Sequence, residues 1–260
     1  MAHISVLGLG NWGTAIARLW LLEGHKVKGW TIEEDVYQSI TLDGINSKYL
    51  PDHPVKGLDA TMHLSEALEG SEIIVLAVPS SVILDVVEDI IPHLQPRHVL
   101  LDLAKGLAPG KRLISQAIHG MLKEAGKTNP LAVLTGPTIA PEAAGGVMTT
   151  ALVASEDDAV ANRLASTLGT PSFILHPASD PVGAELWGAY KNVVALACGL
   201  VDGLKQVGDL GGDNLKAAIF MSGFKEGSLL LAELVAQAEE SFVRVGLGNV
   251  YVNGTSPLGR

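Results

Sequence analysis

The opening stretch of the chain restricts its fold more than any other. Ile4 to Leu7 is a short apolar run, Asn11 to Glu23 has helical periodicity, and Gly8-Leu9-Gly10-Asn11-Trp12-Gly13 lies between them. A strand that turns through glycines at this spacing into a helix opens a βαβ unit. The first glycine makes the turn, the second admits a pyrophosphate to the backbone, and the third lets the helix pack on the strand. The free amides and positive dipole end of such a helix suit a diphosphate. The chain has 29 glycines, so the triplet alone is weak evidence and a tight turn without a ligand is the alternative. Its place between strand and helix favours the binding reading.

The same alternation continues. Apolar runs follow at Lys26 to Trp30, Ile73 to Val78, Val99 to Leu103, Leu131 to Leu134 and Thr150 to Ala154. Helical periodicity separates several of them, at Val82 to Leu94, Leu113 to Ala125 and Asp157 to Leu168. Parallel strands need crossover helices, so this order implies a doubly wound sheet covered on both faces. Composition agrees: residues are 47% hydrophobic but only 5% aromatic, so the apolar mass is aliphatic, as strands buried on both faces require. From Asp180 the pattern changes. Leu186, Tyr190, Val193, Ala197, Leu200 and Leu204 fall on one face of a helix over residues 180–205, and a second helical region runs from Asn214 to Gln237. The chain is therefore predicted to be α/β. A Rossmann-type doubly wound sheet occupies residues 1–178, and a smaller all-helical C-terminal domain occupies 179–260.

A formal charge of −10 and a pI near 5.2 argue against nucleic acid as a partner, since a broad grip on phosphodiesters needs a basic field. A few cations converging in one cleft still suffice for a single phosphate. Cys198 stands alone, which excludes an intrachain disulfide and points to a reducing, cytoplasmic setting. The eight histidines have no metal-ligand spacing, so no metal is expected. No run reaches the roughly 20 apolar residues of a membrane span, and strand-like residues from His3 leave no room for a secretory signal.

Several candidate site residues stand at strand ends, where ligands bind in such sheets. The second strand ends in Trp30-Thr31-Ile32-Glu33-Glu34, about 20 residues past the glycine loop, where an adenosine ribose is recognised. That stretch has no arginine or lysine for a 2'-phosphate and two carboxylates that would repel one, so NAD is favoured over NADP. The same two acids also suit the start of the next helix. Val78-Pro79-Ser80 closes another strand and either starts a helix or walls a nicotinamide pocket. Lys105 follows the run Val99 to Leu103. Gly136-Pro137-Thr138 offers amides and a hydroxyl, or a plain glycine-proline turn. Lys191 interrupts the apolar helix in a stripe of small residues, Ala184, Gly188, Ala195 and Cys198. It either snorkels to water or faces a polar cleft between the domains.

Taken in order, GLGNWGTAIA, NSKYLP, AVPSS, AKGL, TGPTIAPE, GAELWGAYKNVVALACGLVDGL and GGDNLKAAI resemble the NAD(P)-dependent glycerol-3-phosphate dehydrogenases. The resemblance implies interconversion of sn-glycerol 3-phosphate and dihydroxyacetone phosphate, a supply for phospholipid precursors. It carries the general base onto Lys191 and a substrate-contacting lysine onto Lys105. Further substrate contacts fall on Gly136, Thr138, Asn192, Asn249, Gly259 and Arg260. The cofactor would be held by Gly8, Gly10, Asn11, Trp12, Gly13, Thr31, Tyr49, Pro79, Lys105, Ala140 and Arg260. A secondary alcohol loses its proton as hydride leaves, so a neutral amine within hydrogen-bond reach is the required base.

The end of the chain departs from the family pattern. Gly248-Asn249-Val250 and Asn253 stand where the family has glycine-aspartate-leucine and a threonine, Ile139 replaces a phenylalanine, and the family's serine-arginine-asparagine reaches only Gly259-Arg260. The family's later helices have no counterpart in these 260 residues. These departures lead to an expectation of NAD binding with weak turnover, and of apolar surface that a homodimer would cover. Two other readings remain: a non-catalytic NAD-binding sensor or assembly component, and a dehydrogenase of another hydroxy substrate.

Overall fold

The computed structural model of the chain describes residues 1–208, 210–234 and 248–255. The opening unit is β1 (His3–Leu7), α1 (Asn11–Leu22) and β2 (Lys26–Trp30). After it come α2 (Glu34–Asp43), β3 (Asp59–Thr61), α3 (Leu64–Leu68), β4 (Ile73–Leu76), α4 (Ile83–Ile90) and β5 (Val99–Asp102). A small hairpin of β6 (Leu107–Ala108) and β7 (Arg112–Leu113) leads into α5 (Ile114–Glu124). Next are β8 (Leu131–Thr135), α6 (Ala140–Ala144), β9 (Thr149–Ala154), α7 (Asp158–Leu168) and β10 (Phe173–Ala178). Among the described residues three helices follow: α8 (Pro181–Gln206), α9 (Asp213–Leu234) and α10 (Gly248–Thr255).

An eight-stranded sheet is ordered β10-β9-β8-β5-β4-β1-β2-β3. Both faces are buried, and the pleat divides them. Ile73 and Val75 of β4 face a core shared with Ile16 and Trp20 of α1, whereas Ile74 and Leu76 face Ile83, Val87 and Ile90 of α4. In α4 the buried positions Ile83, Val86, Val87 and Ile90 recur at the spacing of one helical face. Trp20 Nε1 donates to the Leu168 carbonyl at 3.0 Å, tying α1 to α7.

The sheet is mixed rather than wholly parallel. β9 runs antiparallel to β8 and pairs in parallel with β10. The helix between β8 and β9, α6, stays at the strand-end edge, where Ala140 and Ala144 pack with Trp12 and Ala15, so β9 starts where β8 stops and runs back. β10 is illegible in the sequence because Pro177 interrupts it. A strand at the sheet's edge tolerates the missing donor.

Helix α8 spans the helix expected over 180–205, and its two stripes differ in burial. Of the large apolar stripe, Val193 is 60% and Leu200 68% exposed, whereas Gly183, Ala184, Trp187, Gly188, Lys191, Val194, Cys198 and Val201 are buried. The small-residue stripe is the one that lies on the sheet. A Cβ at Gly188 would come within 3.0 Å of Thr135 Oγ1, so the helix approaches β8 closely only because that position is glycine. On its other side α8 meets α9, whose Gly223 and Gly227 leave room for Val194 and for Tyr190 with Trp187. Trp187 stacks on Phe224 with ring centroids 5.4 Å apart. Among the described residues, no helix is long and apolar enough to cross a membrane.

Candidate active site

Strand register gathers the candidate residues at one edge. Leu7 lies opposite both Trp30 and Leu76, Leu76 opposite Asp102, and Asp102 opposite Val133. The segments that follow β1, β2, β4, β5 and β8 therefore emerge together. They carry Gly8 to Gly13, Thr31, Pro79, Lys105 and Gly136 to Thr138. These are the carboxyl ends of parallel strands, the place where such sheets bind ligands.

The three glycines of the first turn differ in their surroundings. Gly8 has φ +106°, and a Cβ there would lie 2.7 Å from the Ala77 carbonyl oxygen. A Cβ at Gly13 would overlap the Gly8 carbonyl oxygen at 1.9 Å. Among the described residues, nothing lies within 4 Å of a Cβ at Gly10. Gly10 is also the N-cap of α1 and brings no capping side chain, so the first amides of that helix stay open. Packing thus fixes the outer glycines and leaves open space at the middle one, as a backbone that receives a diphosphate requires. Asn46, which the sequence reading passed over, braces this loop. Its Nδ2 donates to the Leu9 carbonyl and to Thr14 Oγ1, both at 2.8 Å, and its Oδ1 accepts from the Tyr49 amide.

After β2, Thr31 Oγ1 accepts from the Glu33 amide at 3.1 Å, which turns the chain into α2. Glu33 is the N-cap of α2, yet its carboxylate makes no cap bond. It accepts instead from Tyr49 Oη at 2.9 Å and from Lys48 Nζ, which also reaches Asp35 at 3.1 Å. The stretch 30–34 lacks a cation, as the sequence reading noted, but the fold delivers Lys48 to it.

The second group centres on two lysines. Lys191 is 3% exposed, and its amine lies next to that of Lys105. Burial, with the Lys105 charge beside it, pushes the Lys191 amine down to about 6. Lys105 keeps part of its surface open, and enclosure of its amine lowers its pKa as well. Lys105 Nζ donates to Thr138 Oγ1 at 3.1 Å, and Asn192 Nδ2 donates to the Lys105 carbonyl at 3.5 Å. The Gly136 turn is tight, since a Cβ there would sit 2.8 Å from the Ala151 backbone. Gly248 packs against Pro137, which brings the start of α10 and the backbone of Asn249 beside that turn. Gly259 and Arg260 lie outside the described residues.

Two buried carboxyls lie on the elements that lead to or carry the lysines, and the sequence reading missed them. Glu185 of α8 is 1% exposed and accepts from the Ile114 and Ser115 amides and from Ser115 Oγ, which locks α8 to the start of α5. Asp102 Oδ1 accepts from the Ala104 amide at 2.8 Å in the turn that leads to Lys105. Among the described residues its Oδ2 has no hydrogen-bond partner. Burial, with Glu185 nearby, pushes the Asp102 carboxyl up to about 8. Neither acid stands out in the sequence, because their juxtaposition spans β5 and α8.

Residues 3–161 match the model of the NAD-dependent glycerol-3-phosphate dehydrogenase N-terminus, and residues 180–260 match that of the C-terminus. The chain belongs to this family. It is 37% identical over 260 residues to a glycerol-3-phosphate dehydrogenase [NAD(P)+] from Rhodospirillum rubrum, covering 99% of this chain and 72% of that protein. It is 36% identical to one from an Exiguobacterium species, covering all of this chain and 75% of the relative. The crystal structure of a Coxiella burnetii glycerol-3-phosphate dehydrogenase superposes with a TM-score of 0.89 at 31% identity, covering 99% of this chain and 77% of the other. The first match ends within α7 and the second starts just before α8, so the glycine loop lies in the first and Lys191 in the second.

Proposed function

We propose that the chain interconverts sn-glycerol 3-phosphate and dihydroxyacetone phosphate with NAD(P)(H). Lys191 carries this reading: a buried amine, neutral near pH 7, placed at the strand-end edge beside a second lysine. In alcohol oxidation Lys191 Nζ takes the hydroxyl proton, and in ketone reduction its protonated form returns one. The bound dinucleotide supplies the hydride acceptor or donor. In its protonated form Lys105 favours the neutral state of Lys191 and offers a cation to an anionic substrate. Gly136, Thr138 and Asn192 position the substrate with it, and position 249 adjoins them through the backbone of α10. The diphosphate rests on Gly8 to Gly13 with Asn11 and Trp12, and Thr31, Tyr49, Pro79 and Ala140 complete the cofactor side. Residues 1–178 act as the dinucleotide-binding domain and 179–260 as the helical substrate domain.

NAD(H) is preferred over NADP(H), because Glu33 and Asp35 leave a net negative charge around Lys48 where the adenosine ribose binds. The protein works in the cytoplasm, and the exposed Val193, Leu196 and Leu200 of α8 favour a homodimer. Oxidation of NADH on addition of dihydroxyacetone phosphate to the purified protein tests the function. Substrate-dependent loss of NADH absorbance is expected, and cofactor binding with no turnover would favour a non-catalytic relative.

A further inference from the structure

We infer that Lys48 is a phosphate ligand held in reserve, and that its pairing with Glu33 sets the cofactor preference of this chain. The inference rests on the reading that the adenosine ribose binds at the end of β2. Three observations carry it. Glu33 is the N-cap of α2, but its carboxylate makes no bond to the helix amides, unlike the Asp, Asn, Ser or Thr side chains that cap helices. That carboxylate is held from outside α2, by Tyr49 Oη at 2.9 and 3.2 Å and by Lys48 Nζ. Lys48 also contacts Asp35 at 3.1 Å, so one cation lies between two carboxylates. The side chain of Lys48 is 43% exposed, so its amine reaches solvent as well as its partners.

The cluster of Glu33, Asp35 and Lys48 has a net charge of −1 and presents a carboxylate already oriented by Tyr49. A ribose 2'-hydroxyl donates to such a carboxylate, whereas a 2'-phosphate is repelled by it. Glu33 thus both accepts the hydroxyl and occupies the amine that would otherwise bind the phosphate. Removing its charge frees Lys48 to pair with a 2'-phosphate, and Asp35 alone then opposes it. Both hydrogen-bond ties to Glu33 come from the turn after α2, which Asn46 pins to the glycine loop. The reserve cation is therefore fixed to the same frame as the diphosphate site.

Calorimetric titration of NADH and NADPH into the wild type, Glu33→Gln, and Glu33→Gln combined with Lys48→Met tests this, with a thermal melt confirming that each folds. Glu33→Ala serves as a second removal of the charge. Glu33→Gln is expected to weaken NADH binding several-fold and to tighten NADPH binding by up to about fivefold, the size of one partly exposed charge pair. Adding Lys48→Met should erase the NADPH gain and leave NADH at the Glu33→Gln level. An NADPH gain that survives loss of Lys48, or no gain beside weakened NADH, overturns the inference and leaves the ribose placement standing. If Glu33→Gln moves neither cofactor, the ribose does not bind there and both readings fall.

Discussion

Lys191 reaches its position because its neighbours on the inner face of α8 are small. Ala184, Gly188 and Cys198 let the helix lie against β8, and the lysine is carried inward with them. Burying an ammonium is costly, so the amine is held neutral, and Lys105 adds to that effect. Lys191→Met should lower kcat by about a hundredfold to ten-thousandfold while leaving the NADH dissociation constant unchanged, since the lysine serves the proton and not the dinucleotide. Near-normal kcat in that variant would assign Lys191 to packing. The pH dependence follows from the same value. Oxidation of glycerol 3-phosphate should fall as pH drops through about 6, where the base gains a proton. Asp102 gives an opposite signature in stability. Its folded pKa of about 8 lies above the usual carboxylate value of about 4, so the native state holds a proton that the unfolded chain releases. Stability is therefore lost as pH rises through that window. Asp102→Asn should melt higher than the wild type, by a margin that grows from pH 5 to pH 8. A constant or shrinking margin would show that Asp102 is ionised in the native fold.

At the scale of elements, the first turn offers a clean separation of folding from binding. Gly8 and Gly13 are fixed by contacts within the protein, and Gly10 faces open space. Gly8→Ala should destabilise by a few kcal/mol, through its positive φ and the clash with Ala77. Gly10→Ala should leave the melting temperature nearly unchanged and weaken NADH binding, as measured by calorimetry. Equal effects of both variants on stability would contradict this division. This turn was legible in the sequence because its glycines, strand and helix are contiguous. The Glu33–Lys48 pair was not, since the lysine lies 15 residues downstream and only the path of the chain after α2 brings it back. Which face of α8 is buried was not legible for a different reason. Periodicity marks where large apolar residues recur, but close packing on a sheet selects small ones, so Val193 and Leu200 point outward.

At the scale of the whole molecule, the alternation of strands and helices was readable because each parallel crossover needs a helix. The reversal at β9 was not, because it depends on α6 packing beside α1 rather than on any local pattern. The exposed apolar stripe of α8 carries a further expectation. Sedimentation should find a dimer, and replacing Leu196 and Leu200 with glutamate should shift it toward monomer. A wild type that is monomeric at tens of micromolar would contradict the dimer. The sheet edge joins an open glycine turn, which suits a dinucleotide, to a neutral buried amine beside a second lysine, which suits proton transfer on a small phosphorylated alcohol. The rate of NADH oxidation with dihydroxyacetone phosphate, compared between the wild type and Lys191→Met, tests that union most directly. Substrate-dependent turnover by the wild type that is lost in the variant, with NADH binding intact in both, is the predicted result. Turnover that is equal in the two, or absent from a wild type that binds NADH, would contradict it.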